Sequence, residues 1–246
     1  MKRDLHGDEA MDNSTALCAW NRDRVLKLLD ILLNRYTIDL SEFVVGHIST
    51  IEKPSYFEIL VAIILSQNTS DRNAIKAFKN LKNSLGLITP EKIIKLPDDY
   101  LASLIKVAGL TYRRVRILKA LATKVLETPD IFSKIENAEP EHARTLLLSL
   151  PGVGSKTADV FLLMVLNKPT FPIDTHIDRV TRRLGLASPE DDYEDIRVKM
   201  MNLLENDVNK LRYMHLLLIV HGRNVCKARN PSCSQCVLVD MCCRRL

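Results

Sequence analysis

Apolar residues recur along this chain at helical spacing. Val25, Leu28, Leu29, Leu32 and Leu33 fall three or four apart, which predicts a helix from Trp20 to about Tyr36 with one buried stripe. Pro54 breaks the chain before Phe57 to Leu65, where almost every position is apolar, the pattern of a helix buried all round. Thr89-Pro90-Glu91 and Asp98-Asp99 carry the caps and first-turn acids that open helices, and Gly109 is placed to stop the second. Val115, Leu118, Ala122 and Val125 repeat next, while Arg113, Arg114, Arg116, Lys119 and Lys124 cover the other positions, a face either solvated or turned to DNA. A further helix runs from Pro140 through Leu146, Leu147 and Leu148 until Pro151 stops it, and another occupies Thr157 to Leu166. Ser188-Pro189-Glu190 has the composition of a helix start, and Lys210 to Val220 reads as a helix ended by Gly222. No segment alternates in the manner of a strand, so the expected fold class is all-α.

Composition narrows the setting. At 246 residues and 46% apolar content the chain can build one large core or two modest ones. No apolar run exceeds the length of Val160 to Leu166, which is far short of a membrane span, and the N-terminus lacks the apolar stretch of a secretion signal or an Arg-rich organelle presequence. The expectation is a soluble protein with no membrane partner, cytoplasmic and nucleoid-associated if the source is prokaryotic. Residues 1–14 are polar and aperiodic and read as a mobile tail. Lys2 and Arg3 against Asp4, Asp8, Glu9 and Asp12 make that tail −2, so the total of +5 leaves +7 on the rest. A basic excess of this size suits phosphate contacts.

Candidate chemistry centres on Pro151-Gly152-Val153-Gly154-Ser155-Lys156, followed eighteen residues after the lysine by Asp174 in Pro172-Ile173-Asp174-Thr175-His176. Gly152 and Gly154 can take positive φ and let a backbone approach an anion, and the helix that follows presents free N–H groups and a positive dipole end. A helix-hairpin-helix of this kind is either a clamp on a nucleic-acid backbone, through Gly152, Val153, Gly154 and Ser155, or an ordinary turn. A P-loop is excluded, because Ser155 interrupts the Gly-Lys-Ser/Thr order and the preceding segment is helical where a strand is needed. Asp174 stands where a helix begins and can serve as an N-cap or as a catalytic carboxylate. His176 fits a structural part in that turn.

Five of the six cysteines fall within eighteen residues, and Cys226, Cys233, Cys236 and Cys242 are spaced x6, x2 and x5. Without a secretion signal, metal-bound thiolates are a better reading than a disulfide framework. Zinc sites usually separate two close pairs by a longer spacer, whereas ligands spread through one loop suit an iron-sulfur cluster, so the cluster is favoured over zinc. Arg223, Lys227, Arg229, Arg244 and Arg245 against Asp240 give the last 24 residues +4, and Lys227 and Arg229 are candidate phosphate contacts. Cys18 and Cys243 are left over, and Cys18 is read as a small buried hydrophobe.

Leu150 to Ala158, the Asp174-Thr175-His176 segment and the cysteine spacing together resemble the endonuclease III family of DNA glycosylases, across about residues 20–246. Ile64-Leu65-Ser66-Gln67-Asn68-Thr69-Ser70-Asp71 resembles the family's segment after its first long buried helix, where bacterial members have Ser-Ala-Gln-Ala-Thr-Asp. The resemblance implies two all-α domains: a six-helix barrel at 51–168 with the hairpin at about 140–167, and a discontinuous cluster domain at 15–50 plus 169–246 whose loop is 226–242. DNA is expected to bind across the cleft between them.

It further implies that Lys156 is the nucleophile, that Asp174 is the essential carboxylate and that Cys226, Cys233, Cys236 and Cys242 hold a [4Fe-4S] cluster. Gln67 and Asn68 occupy the position that fills the gap left by an extruded base. Asp178 departs from the family, standing where the bacterial pattern has an aromatic residue. The expected function is a bifunctional glycosylase and AP lyase of base excision repair, acting as a monomer on double-stranded DNA with oxidised pyrimidines or abasic sites. The alternatives are a monofunctional mismatch or alkylated-base glycosylase, or a non-enzymatic iron-sulfur DNA-binding protein. Mismatch relatives and adenine-excising relatives lack the lysine that Lys156 supplies here.

Overall fold

The computed structural model describes residues 19–51 and 53–243, so the polar tail, Cys18, Arg244 and Arg245 lie outside the described residues. Helix α1 is Arg22–Arg35, opened by the Asn21 side chain, which accepts from Arg24 N. Next come α2 (Val44–Ile51), α3 (Tyr56–Ser66), α4 (Asp71–Leu85), α5 (Pro90–Lys95), α6 (Asp98–Ile105) and α7 (Thr111–Glu127). After them follow α8 (Ile131–Asn137), α9 (Pro140–Leu148), α10 (Ser155–Met164), α11 (Thr175–Leu184), α12 (Tyr193–Leu203) and α13 (Val208–Asn224). No strand occurs among the described residues, and the fold is all-α. Periodicity did not single out α2, α4 or α8.

Two compact units are present. Ile38–Pro172 with Asn206–Arg212 make one, and the other contains Ile173–Glu205 with the described residues from Tyr213 onward and up to Thr37. The expected boundary at residue 50 therefore moves to 38, because Val44, Val45 and Ile48 are buried in the same core as α3. At the far boundary 206–212 joins that core's unit, where Arg212 Nη2 donates to Leu163 O at 3.2 Å.

Helix α3 is the centre of the first unit. All residues from Phe57 to Leu65 are buried, and α2, α4, α7 and α10 pack around it. Each fully buried Leu or Ile there contributes about 2 kcal/mol. Its start is a capping box in which the Ser55 side chain accepts from Glu58 N and the Glu58 carboxylate accepts from Ser55 N. Glu58 is 2% exposed but paired, accepting from Lys82 Nζ at 2.9 Å and Ile88 N at 3.1 Å. This ties the start of α3 to α4 and to the segment before α5.

Two readings of helix ends need correction. Ser188 does not start a helix: Asp191 accepts from its N–H and its hydroxyl, closing a turn, and α12 begins later, behind an Asp192/Asp195 capping box. Gly222 does not end one either but lies inside α13, where a Cβ would come within 2.9 Å of the His176 Cβ. That glycine is there for close packing. Beyond α13, residues 226–242 contain only two three-residue 3-10 turns, Cys233–Gln235 and Val239–Met241.

Candidate nucleic-acid site and metal centre

Helices α9 and α10 and the turn between them form the hairpin. Leu150 N bonds Leu147 O at 3.0 Å, Val153 N bonds Leu150 O at 3.1 Å, and the chain reverses at Gly152 with φ +79°. A Cβ at Gly152 would lie 2.2 Å from Ile117 Cγ2 on α7, so both conformation and packing demand glycine there. Gly154 differs from the expectation. Its φ of −101° is extended backbone that any residue can adopt, and it is the exposed N-cap of α10 without a side chain to close it. Among the described residues the N–H groups of Gly154, Ser155 and Lys156 have no intramolecular acceptor, which is the anion-seating arrangement of a helix start. Val153 is another matter. Its side chain is buried and its N–H is spent on Leu150, so it anchors the hairpin.

Lys156 follows one residue into α10. It is half-buried and makes no ion pair or hydrogen bond among the described residues. The helix behind it is fixed by a buried pair: Arg144 of α9 donates to Asp159 through Nε at 2.9 Å and Nη2 at 3.3 Å, and Thr170 Oγ1 donates to the same carboxylate at 2.7 Å.

Gln67 and Asn68 separate clearly. The Gln67 amide nitrogen donates to Gly152 O at 2.9 Å and Thr157 Oγ1 at 3.1 Å, so its side chain is bound down onto the hairpin. Asn68 is exposed in a left-handed conformation, φ 54°. Buried Arg114 links a third segment to these two, donating to Ala108 O at 2.7 Å and also to Gly109 O and Gln67 O. Its carbonyl clamp fixes the turn that presents Leu110, which is 52% exposed at φ 47°. The structure thus gathers Asn68, Leu110 and the hairpin on one unit. Leu110 escaped sequence reasoning, although an apolar residue at a helix N-cap after a glycine was the signal available.

In the other unit Asp174 is the N-cap of α11. Its Oδ1 accepts from His176 N at 2.9 Å and Ile177 N at 2.8 Å, and Oδ2 has no partner among the described residues. Burial, with Arg179 and Arg223 nearby, holds the His176 ring below the usual range against the opposing pull of Asp174. Arg179 joins α11 to the cysteine loop by donating to Gly222 O and Cys226 O, both at 2.9 Å.

Cys226, Cys233, Cys236 and Cys242 form no disulfide and line one cavity. Val180, Leu184 and Val225 make its apolar wall. Among the described residues no three His, Cys, Asp or Glu side chains converge as ligands of a single ion do. Four thiols around a shared cavity fit a polynuclear cluster better than one zinc ion. Burial, partly offset by a backbone hydrogen bond at Leu238, and then the other three cysteines push the Cys236 thiol up, so gathering four thiolates here calls for a bound cationic group. Arg183 supplies a fixed charge, with Nη1 3.4 Å from Cys226 Sγ and 2.7 Å from Lys227 O. Lys227 and Arg229 are exposed on the loop. Cys243 is in a disulfide, so the preference for metal-bound over paired cysteines holds for the four thiols and not for it.

Residues 61–206 match the HhH-GPD superfamily of base excision DNA repair proteins, and residues 226–242 match the iron-sulfur binding domain of endonuclease III. Endonuclease III of Sulfolobus acidocaldarius is 37% identical over 211 residues, 86% of this chain and 92% of that protein. The chain belongs to the endonuclease III family. It is therefore a DNA glycosylase of base excision repair that binds DNA and carries a [4Fe-4S] cluster. Endonuclease III of Rickettsia conorii is 37% identical over 186 residues, 76% of this chain and 83% of its own. The solved structure of a trapped endonuclease III–DNA covalent intermediate superposes with a TM-score of 0.76 at 26% identity, over 91% of this chain and 96% of that one. A thermostable thymine-DNA glycosylase shares the fold at a TM-score of 0.63 and 22% identity, covering 94% and 97%. Among the described residues no helix is long and apolar enough to cross a membrane.

Proposed function

We propose that this endonuclease III relative is a monomeric, bifunctional enzyme that excises oxidised pyrimidines and then nicks the strand. The observation that carries this reading is Lys156, a half-buried amine with no carboxylate partner, set in the first turn of a helix whose N–H groups are open to phosphate. The phosphate contacts fix the DNA backbone, and extrusion of the damaged nucleotide exposes the sugar carbon that the duplex otherwise hides. Asn68 and Leu110 enter the duplex where the base has left, with Gln67 bracing the turn beneath them. The neutral Lys156 amine attacks C1′ as the bond from C1′ to the base breaks, and the departing base takes up a proton. Opening of the sugar ring leaves a Schiff base between Lys156 and C1′. Loss of a C2′ proton then expels the 3′ phosphate by β-elimination, and water releases the lysine. Asp174, through its uncommitted Oδ2, stabilises positive charge on the sugar and relays protons. Cys226, Cys233, Cys236 and Cys242 hold the [4Fe-4S] cluster, which fixes the loop that presents Lys227 and Arg229 to phosphate.

Borohydride reduction of the enzyme with DNA carrying an oxidised pyrimidine tests the central step. Wild type is expected to give a covalent adduct and Lys156→Gln none. An adduct with Lys156→Gln, or none with wild type, overturns the nucleophile. Base release and nicking, scored separately on duplexes with one defined lesion each, test the substrate class.

A further inference from the structure

Behind one of the four cysteines stands a hydrogen-bonded pair of rings with no part in the reaction above. His221, in the last turn of α13, is 2% exposed, and its Nε2 lies 3.7 Å from Cys236 Sγ. Its Nδ1 is 2.9 Å from the hydroxyl of Tyr36, the C-cap of α1. The two rings meet edge-on, 6.0 Å between centroids and 65° between planes. The carbonyl of His221 accepts from Val225 N and Cys226 N, both at 2.9 Å, so the same residue is bound to the backbone of a second cysteine.

The protons follow by elimination. A cysteine bound to iron is a thiolate and has no proton to give, so a hydrogen bond to Cys236 places the proton on Nε2. A neutral ring with Nε2–H presents a lone pair at Nδ1, which leaves Tyr36 as the donor there. Each atom of the chain Tyr36 O–H, His221 and Cys236 then has one consistent role. A hydrogen bond to a ligand sulfur withdraws charge from it and favours the reduced cluster.

We propose that Tyr36 and His221 are positioning residues of the iron-sulfur centre, Tyr36 holding His221 in the tautomer that donates to the Cys236 sulfur and so raises the cluster's reduction potential. The inference rests on Cys236 being a cluster ligand. On the full-length holoprotein, Tyr36→Phe is expected to keep its iron content and visible absorption, to shift the potential negative in voltammetry, and to lose part of the D2O sensitivity of the Fe–S(Cys) stretches in resonance Raman spectra. His221→Phe is expected to shift the potential further in the same direction. If His221→Phe does not assemble the cluster, Tyr36→Phe still decides, because it removes one oxygen from a half-buried residue. An unchanged potential and unchanged isotope shift in iron-replete Tyr36→Phe overturn the proposal. Cys236→Ser separates the two readings: full iron content and a wild-type spectrum there would remove the ligand assignment, and with it the basis of the inference.

Discussion

Asp174 caps α11 through Oδ1 alone and leaves Oδ2 uncommitted. Asparagine keeps an oxygen at the capping position and loses the charge, so Asp174→Asn is expected to hold stability within about 0.5 kcal/mol while base release falls by about 100-fold or more. Asp174→Ala also loses the cap, and denaturant melting of it is expected to show a cost of about 1 kcal/mol. Equal loss of stability in both variants would mean that the cap needs the charge. The two hairpin glycines diverge in the same way. Gly152→Ala meets both a left-handed backbone and Ile117, and is expected to destabilise by more than about 1 kcal/mol. At Gly154 a Cβ meets nothing within 4 Å, so Gly154→Ala is expected to cost less than about 1 kcal/mol, the N-cap preference of glycine over alanine, and DNA affinity measured by titration is expected to drop if phosphate approaches there. From sequence the two glycines looked alike. Residue types are legible in a single chain, but the distant side chain of Ile117 that sets Gly152 apart is not.

At the level of elements, the Arg144–Asp159–Thr170 network ties the two helices of the hairpin together. Asp159→Ala removes the carboxylate to which the buried Arg144 guanidinium and the Thr170 hydroxyl donate, for an expected loss of about 3 kcal/mol in chemical denaturation. Because Asp159 sits one turn after Lys156 on α10, nicking by the folded fraction is expected to survive, and loss of nicking without loss of stability would point to a direct part in the reaction. Helices with a local break and a continuous apolar run were readable in advance, as at α3 after Pro54, although the Ser55 and Glu58 cap that closes its start was not singled out. The start of α12 was misplaced because Ser188 and Asp191 satisfy each other and leave capping to Asp192. Gly222 was misread because its reason lies in α11, on the far side of a contact with His176. Leu110 was passed over because Gly109 before it reads as a plain helix stop, and the Arg114 clamp that fixes the turn is not visible in the sequence.

At the scale of the whole molecule, apolar burial holds the helices of both units, whereas one loop is held otherwise. The first unit has a continuous apolar core around α3, whereas residues 226–242 of the other have almost no regular structure and take their shape from four thiols around a shared cavity. Removing the iron is therefore expected to bleach the absorption near 400 nm and open this loop to protease, while peptides from α3 to α10 stay protected, as limited proteolysis with mass spectrometry would show. Protection of 226–242 in the iron-free protein would mean that the loop folds without its metal. The dependence reaches beyond the site. If the loop at 226–242 needs its iron to fold, the yield of working enzyme is tied to metal supply, and a cell starved of iron is expected to make the same polypeptide and get less repair from it.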